Sequence, residues 1–217
     1  MALIDAGMEE WGNLTRFSTF NFATLQTSRV AGPWSRYSVT ANGYLELNFG
    51  AQLQQVFAGG RFYFTTTAVA KAIWDFREAN LKQVKLQTVA GGQLVVVDNW
   101  DNVLATSAGF ALSANRWYFI ECRVFVANAG GIVQVWVDEQ LRINFTGDTQ
   151  SSGNPWADRI RYLEGTADVY LDDPYVLDTT GTVNNSRLGD VACAGLAVTG
   201  AGDAAQFTPV GAAANWD

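Results

Sequence analysis

WYFIECRVFVANAGGIVQVWVDEQLRINFTG, residues 117–147, decides the fold class. In its first run Tyr118, Ile120, Cys122, Val124 and Val126 share one face, with Glu121 and Arg123 on the other. Val133, Val135 and Val137 alternate with Gln134 and Asp138, and then Leu141, Ile143 and Phe145 alternate with Arg142 and Asn144. A period of two means strands with one face on a core. Gly130-Gly131 supplies a turn that tolerates positive φ, and Asp138-Glu139-Gln140 a second tight reversal. The stretch reads as an antiparallel meander, and the chain as all-β.

Working outward, short β-like runs recur from Tyr37–Thr40 and Tyr44–Asn48 to Asp168–Leu177 and Leu188–Val198, and helical periodicity is scarce. Ala58-Gly59-Gly60, Ala90-Gly91-Gly92 and Ala129-Gly130-Gly131 repeat one tripeptide, and each is read as a hairpin turn. So many short strands exceed a single sheet, so two sheets packed face to face are expected. The 217 residues suit one such domain. Composition shifts near Thr179, and the remainder is rich in Gly, Ala, Thr and Asn. The expected organisation is a sandwich over 1–178 and a Gly/Ala-rich arm over 179–217, packed on the sandwich or on a neighbouring subunit.

Hydrophobic residues at 48% with 16% charged argue for a packed chain, and the net charge of −7 counts against nucleic-acid binding. No apolar run is long enough to cross a bilayer as a helix, and MALIDAGMEEWGN does not read as a secretory signal. Cys122 lies on the apolar face of its strand, where a thiol acts as a small hydrophobe; Cys193 is the other cysteine.

The sequence has no histidine, which removes the commonest general base and the His-dependent nucleophile and metal sites. No phosphate-binding glycine loop or dinucleotide fingerprint occurs, so no cofactor is expected. A sandwich glycosidase needs two carboxylates facing one cleft. Glu121 has no acidic neighbour at same-face spacing, and Asp138-Glu139 and Asp172-Asp173 are adjacent, so an enzyme is not expected. Asp168, Asp172 and Asp173 are the candidate Ca²⁺ ligands; an edge strand blunted by charge and by Pro174 is the preferred reading of that segment.

Aromatics make up 13% of the chain, including eight Trp, more than a modest core needs. Trp156, in a Gly/Pro loop, is an interface candidate, as are Phe207 and Trp216 in the arm. Trp136 lies opposite the Val133/Val135/Val137 face. Asn99, Trp100, Asp101 and Asn102 form the best candidate for a sugar site, an aromatic beside polar groups; a polar loop with Trp100 as its apolar plug is the plainer reading.

The second half of the chain resembles a family of bacteriophage virion proteins with a concanavalin A-like (laminin G-like) sandwich. The likeness is carried by Trp117-Tyr118-Phe119-Ile120-Glu121, by Ala129-Gly130-Gly131 with Val-Gln-Val-Trp-Val-Asp, and by Thr146-Gly147-Asp148-Thr149-Gln150. It continues through Tyr170-Leu171-Asp172-Asp173-Pro174-Tyr175-Val176, Leu188-Gly189-Asp190-Val191 and Gln206-Phe207-Thr208-Pro209 to Asn215-Trp216. The resemblance implies a two-sheet antiparallel jelly-roll sandwich and a virion structural protein: a capsid decoration (cement) protein or part of the tail or its fibres. Its partners would then be major capsid or tail subunits and further copies of itself. The other expectation is a carbohydrate-binding module for host-surface glycans.

Overall fold

A computed structural model describes residues 3–6, 19–26 and 36–190, with side chains from residue 43. The expected features at Cys193, Phe207, Trp216 and beyond residue 190 of the 188–198 run lie outside the described residues. Within them the chain is strand and loop: β1 Leu3–Ala6, β2 Thr19–Gln26, β3 Arg36–Leu53, β4 Gln55–Phe64, β5 Lys71–Glu78, β6 Leu81–Thr88, β7 Gln93–Val97, β8 Val103–Ala111, β9 Arg116–Phe125, β10 Gly131–Val137, β11 Gln140–Gly147, β12 Ala157–Tyr162 and β13 Val169–Leu177.

The strands form two antiparallel layers. One runs β11-β10-β9-β4-β13, the other β8-β7-β6-β5-β12-β3. Long β3 joins them: its Leu45–Leu53 half pairs with β12, while Tyr37 and Ser38 pair with β13. β2 lies on β3 and β1 on β13. The core between the layers takes alternate residues, among them Phe62, Phe64, Ile120, Cys122, Val133 and Val135 from one and Leu45, Trp74, Phe76, Leu86 and Ile160 from the other.

The 117–147 meander folds as its alternation dictates. Val135 stands opposite both Cys122 and Ile143, with all three in the core. Val137 pairs with Gln140 across a two-residue turn whose central Asp138 and Glu139 both have positive φ, 46° and 67°. That geometry matches the right-handed twist of the flanking strands. Asp138 reinforces it, since its carboxylate accepts hydrogen bonds from Phe119 N (3.0 Å) and the Arg116 guanidinium (2.8 Å).

Three expectations need correction. Tyr37–Thr40 and Tyr44–Asn48 are one strand, β3. Gly59-Gly60 is not a turn but mid-β4: a Cβ at Gly59 would strike the Tyr175 ring, and one at Gly60 would meet Leu171 Cδ1 at 2.9 Å. Small residues are required there by a close neighbour rather than by backbone conformation. β13 is not an edge strand, because it pairs with β4 on one side and with β1 and β3 on the other. Pro174 is tolerated in this interior strand because it sits in a bulge, where register shifts between Asp172 and Tyr175. The bulge also reverses facing. Val169 and Leu171 point into the core, whereas Tyr175 and Leu177 join Phe57 and Phe119 in a second cluster on the outer face of the layer, packed against Leu188.

One end of the sandwich gathers the long loops. The pairings Gln55↔Phe125, Glu78↔Leu81, Val97↔Val103, Gly131↔Gly147, Ala157↔Leu53 and Leu177↔Phe57 place the odd-numbered strand ends from β3 to β13 together. Residues 53–54, 98–102, 126–130, 148–156 and 178–180 therefore share that end.

Candidate functional site

The β7–β8 connection is a rigid turn carrying an exposed ring. Asp98 Oδ1 accepts from Trp100 N (2.8 Å) and Asn102 N (2.9 Å), and its Oδ2 from Asn102 Nδ2 (2.8 Å). This is the local side-chain-to-backbone bonding that Asp and Asn favour in turns. Asn99 Oδ1 accepts from Lys82 N, Asn99 N donates to Ser151 Oγ, and Lys82 Nζ pairs with Asp101 at 3.2 Å. Asp101 takes a positive φ of 62°. The four expected sugar-site residues are thus together, but Asn99, Asp101 and Asn102 are engaged in holding the turn, whereas the Trp100 ring projects from it. Its relative exposure is 67%, so the ring does not plug the loop.

The neighbouring 148–156 loop is fastened to the same rim by Gln83. That side chain, buried although polar, accepts from Ser151 N (2.8 Å) and Ser152 N (3.1 Å), and its Nε2 donates toward the carbonyls of Asn154 (2.9 Å) and Trp156 (2.7 Å). Trp156 itself is half-buried. Further along, Thr149 Oγ1 donates to Phe125 O (2.8 Å), and Val126 N donates to Gln54 O (2.8 Å). The 148–156 loop is thus tied to the Trp100 turn at Ser151 and to β9 at Thr149, and beside β9 lies a crevice of about 320 Å³ lined by Gln52, Leu53, Gln54, Gln55, Phe125 and Asp178–Thr180.

The candidate Ca²⁺ residues are not assembled into a ligand shell. Asp168 is exposed beside Lys71 Nζ (3.4 Å), whereas Asp172 and Asp173 are buried at the β13 bulge, Asp173 against Arg61. Among the described residues no cluster of His, Cys, Asp and Glu could hold a metal ion.

Two charged assemblies escaped the sequence reading. On the outer face of the β11-β10-β9-β4-β13 layer, Glu121 is fully buried. Its Oε1 accepts from Tyr175 Oη, Leu188 N (2.9 Å) and Gly189 N (3.1 Å), and its Oε2 from Arg187 (2.9 Å). Arg187 also reaches Glu139 (2.6 Å), holding that carboxyl below its usual range, and stacks 5.2 Å from the centre of the Trp136 ring. Burial, with the Glu121 charge beside it, pushes the Tyr175 phenol well above its ordinary pKa. Arg61 pairs with Asp190 at 2.8 Å.

On the opposite outer face, Arg77 is shared by two carboxylates: Asp75 at 2.6 Å and Glu164 at 2.7 Å. Arg161 bridges Glu164 and Glu46, and Arg159 joins Glu46 to Asp158. Burial pushes the Asp75 carboxyl up to about 7, against the pull of Arg77 and with the push of Glu164. Burial also raises Glu164, but its bond to Asp75 and the charges of Arg77 and Arg161 outweigh this and take it to about 2. Asp75 is only 1% exposed. A group so enclosed cannot meet a polymeric substrate, so the two acids do not amount to a catalytic pair. The sequence did offer a hint, since Asp75 and Arg77 have same-face spacing; Glu164 lies far along the chain.

No family model matches this sequence, and no curated protein matches it. Solved structures are similar in fold. An endo-β-1,4-glucuronan lyase from the fungus Trichoderma reesei matches with a TM-score of 0.55 at 14% identity, over 74% of this chain and 90% of that one. Domain 4 of an extracellular arabinanase from Geobacillus stearothermophilus, solved with arabinotriose, gives 0.56 at 9% identity, over 82% and 92%. The binding domain of botulinum neurotoxin DC, in complex with rat synaptotagmin II, gives 0.50 at 11% identity over 73% of this chain, which spans 43% of that one. At such identities the likeness establishes the jelly-roll sandwich and nothing finer.

Proposed function

We propose that this chain is a non-enzymatic binding domain that recognises carbohydrate through its loop end. The observation that carries the reading is Trp100, exposed on a turn fixed by Asp98, Asn99 and Asn102. A pyranose presents an apolar face of C–H groups, and a Trp ring carried on a backbone turn that is already fixed removes that face from water without ordering the loop. The arabinanase domain of similar fold was solved holding a trisaccharide, which supports the reading by analogy. Trp100→Ala is expected to weaken glycan binding by about 2 kcal/mol, roughly thirtyfold, as for aromatic anchors at other interfaces. Stability should stay within about 0.5 kcal/mol, because so exposed a ring contributes little to packing. A glycan array run with both proteins measures the first, thermal melting the second. Equal binding by the variant would refute the assignment.

The second reading, a virion structural protein, rests on the resemblance carried by the second half of the chain. The pieces that carry the resemblance meet in space: Glu121 receives Leu188, Gly189 and Tyr175, and Arg61 links Asp173 to Asp190. In that reading the sandwich binds capsid or tail subunits and other copies of itself, with the arm beyond Asp190 as a contact. Mass spectrometry of separated heads and tails should find the protein in one fraction; its absence from purified particles would end the reading.

A further inference from the structure

The crevice at the loop end has a composition that specifies a ligand class. Gln52, Gln54 and Gln55 offer amides, which both donate and accept, as sugar hydroxyls do. Phe125 and Leu53 supply an apolar wall. Gln52 makes no side-chain hydrogen bond among the described residues, and Gln54 donates only a long one, 3.3 Å, to Val126 O. Asp178 accepts from the Thr180 amide and hydroxyl at 2.9 Å each. Among the described residues no cation lines the space: Arg123 approaches only through Gln55, whose Oε1 it engages at 2.8 Å. The volume of 320 Å³ equals about ten waters at ~30 Å³ apiece, room for about one or two sugar rings.

We propose that this crevice is a second contact site for the glycan held at Trp100, and that it selects uncharged saccharides over uronates. The inference rests on the carbohydrate-binding reading. Both positions lie on one rim, where the 148–156 loop bonds the Trp100 turn at Ser151 and β9 at Thr149. A uronate carboxylate placed in the crevice would face Asp178, with no cation among the described lining residues to offset the repulsion. Neutral hydroxyls meet complementary amides in the crevice.

The test uses the full chain, ¹⁵N-labelled, titrated with neutral gluco-, manno- and arabino-oligosaccharides from di- to hexasaccharides and with oligoglucuronates of matched length. Gln52 and Gln54 side-chain amide signals should shift with the neutral series. The double variant Gln52→Ala/Gln54→Ala should bind the longer neutral oligomers about tenfold more weakly, the loss of one or two hydrogen bonds, and disaccharides unchanged. Both residues are exposed, so the variant should keep its fold, and an unchanged melting temperature verifies it. If Trp100→Ala abolishes binding but the double variant and the amide signals are unaffected, the crevice is not part of the site and the carbohydrate reading stands. Preference for oligoglucuronates overturns the charge selection. Absence of binding by any probe overturns both.

Discussion

Glu121→Ala is expected to lower the stability of the folded chain by about 3 kcal/mol, because removing one partner of a buried charge cluster leaves the others unpaired. For a chain of this length that corresponds to a melting temperature lower by about 6–12 °C. The residue is fully buried on a face that a sandwich ordinarily gives to solvent, and every lone pair it uses holds something down. Tyr175 loses its acceptor, and the Leu188 and Gly189 amides lose theirs. Arg187 keeps Glu139 and the Trp136 ring, which is why the expected cost stays at the low end for such a cluster. The second consequence is local. Leu188 covers Phe57, Phe119, Tyr175 and Leu177, so releasing residues 187–190 uncovers an apolar patch. Amide exchange at Leu188 and Gly189 should accelerate far more than exchange in β9 or β10, and a dye that binds apolar surface should bind the variant more strongly. Glu121→Gln retains an acceptor for the two amides and should cost about 1–2 kcal/mol, through the lost charge on Arg187. Unchanged protection at Leu188 and Gly189 in the alanine variant would mean the carboxylate is not what holds this segment.

The meander of residues 117–147 was legible because period-two alternation and turn chemistry agree, and its register followed without distant partners. The Gly-Gly pair of β4 was misread for the opposite reason. Glycine in a strand and glycine in a turn look alike locally, and only the Tyr175 ring, more than a hundred residues on, distinguishes them. The β13 bulge was likewise hidden, since a proline after two acids reads as an edge until its neighbours β1, β3 and β4 are known. Glu121 alternates as a solvent-facing residue, and does face outward; what covers it arrives 67 residues later. For Trp100 the turn was foreseen, but which of its residues face solvent depends on Asp98 and Ser151, and exposure favours the sugar platform over the plug.

The Asp75 cluster gives a pH dependence whose sign follows from its two displaced carboxyls. Asp75 is enclosed by Arg77 on its own strand, and the register places Lys85 of β6 and Arg161 of β12 opposite it. Glu164 shares Arg77 with it, and Glu46 of β3 and Arg159 complete the face. Its folded pKa of about 7 lies above the ordinary 3.8. Between those values the folded state carries a proton that the unfolded chain has released. The contribution is therefore complete below about 4 and is lost as pH rises through 7. Glu164 runs the other way: displaced from 4.5 to about 2, its contribution is present above 4.5 and lost as pH falls toward 2. The pair together is most favourable between about pH 4 and 5. Each unit of displacement is about 1.4 kcal/mol, but the proton is shared across a coupled network, so wild-type stability should fall by about 2 kcal/mol from pH 4.5 to 8 through Asp75. Asp75→Asn mimics the protonated acid, with Oδ1 toward Arg77 and Nδ2 toward Glu164, and cannot ionise. Its urea-unfolding free energy should match wild type at pH 4.5 and exceed it by about 2 kcal/mol at pH 8. Parallel curves for the two proteins across that range would show that Asp75 is ionised throughout, with Arg77 winning over burial.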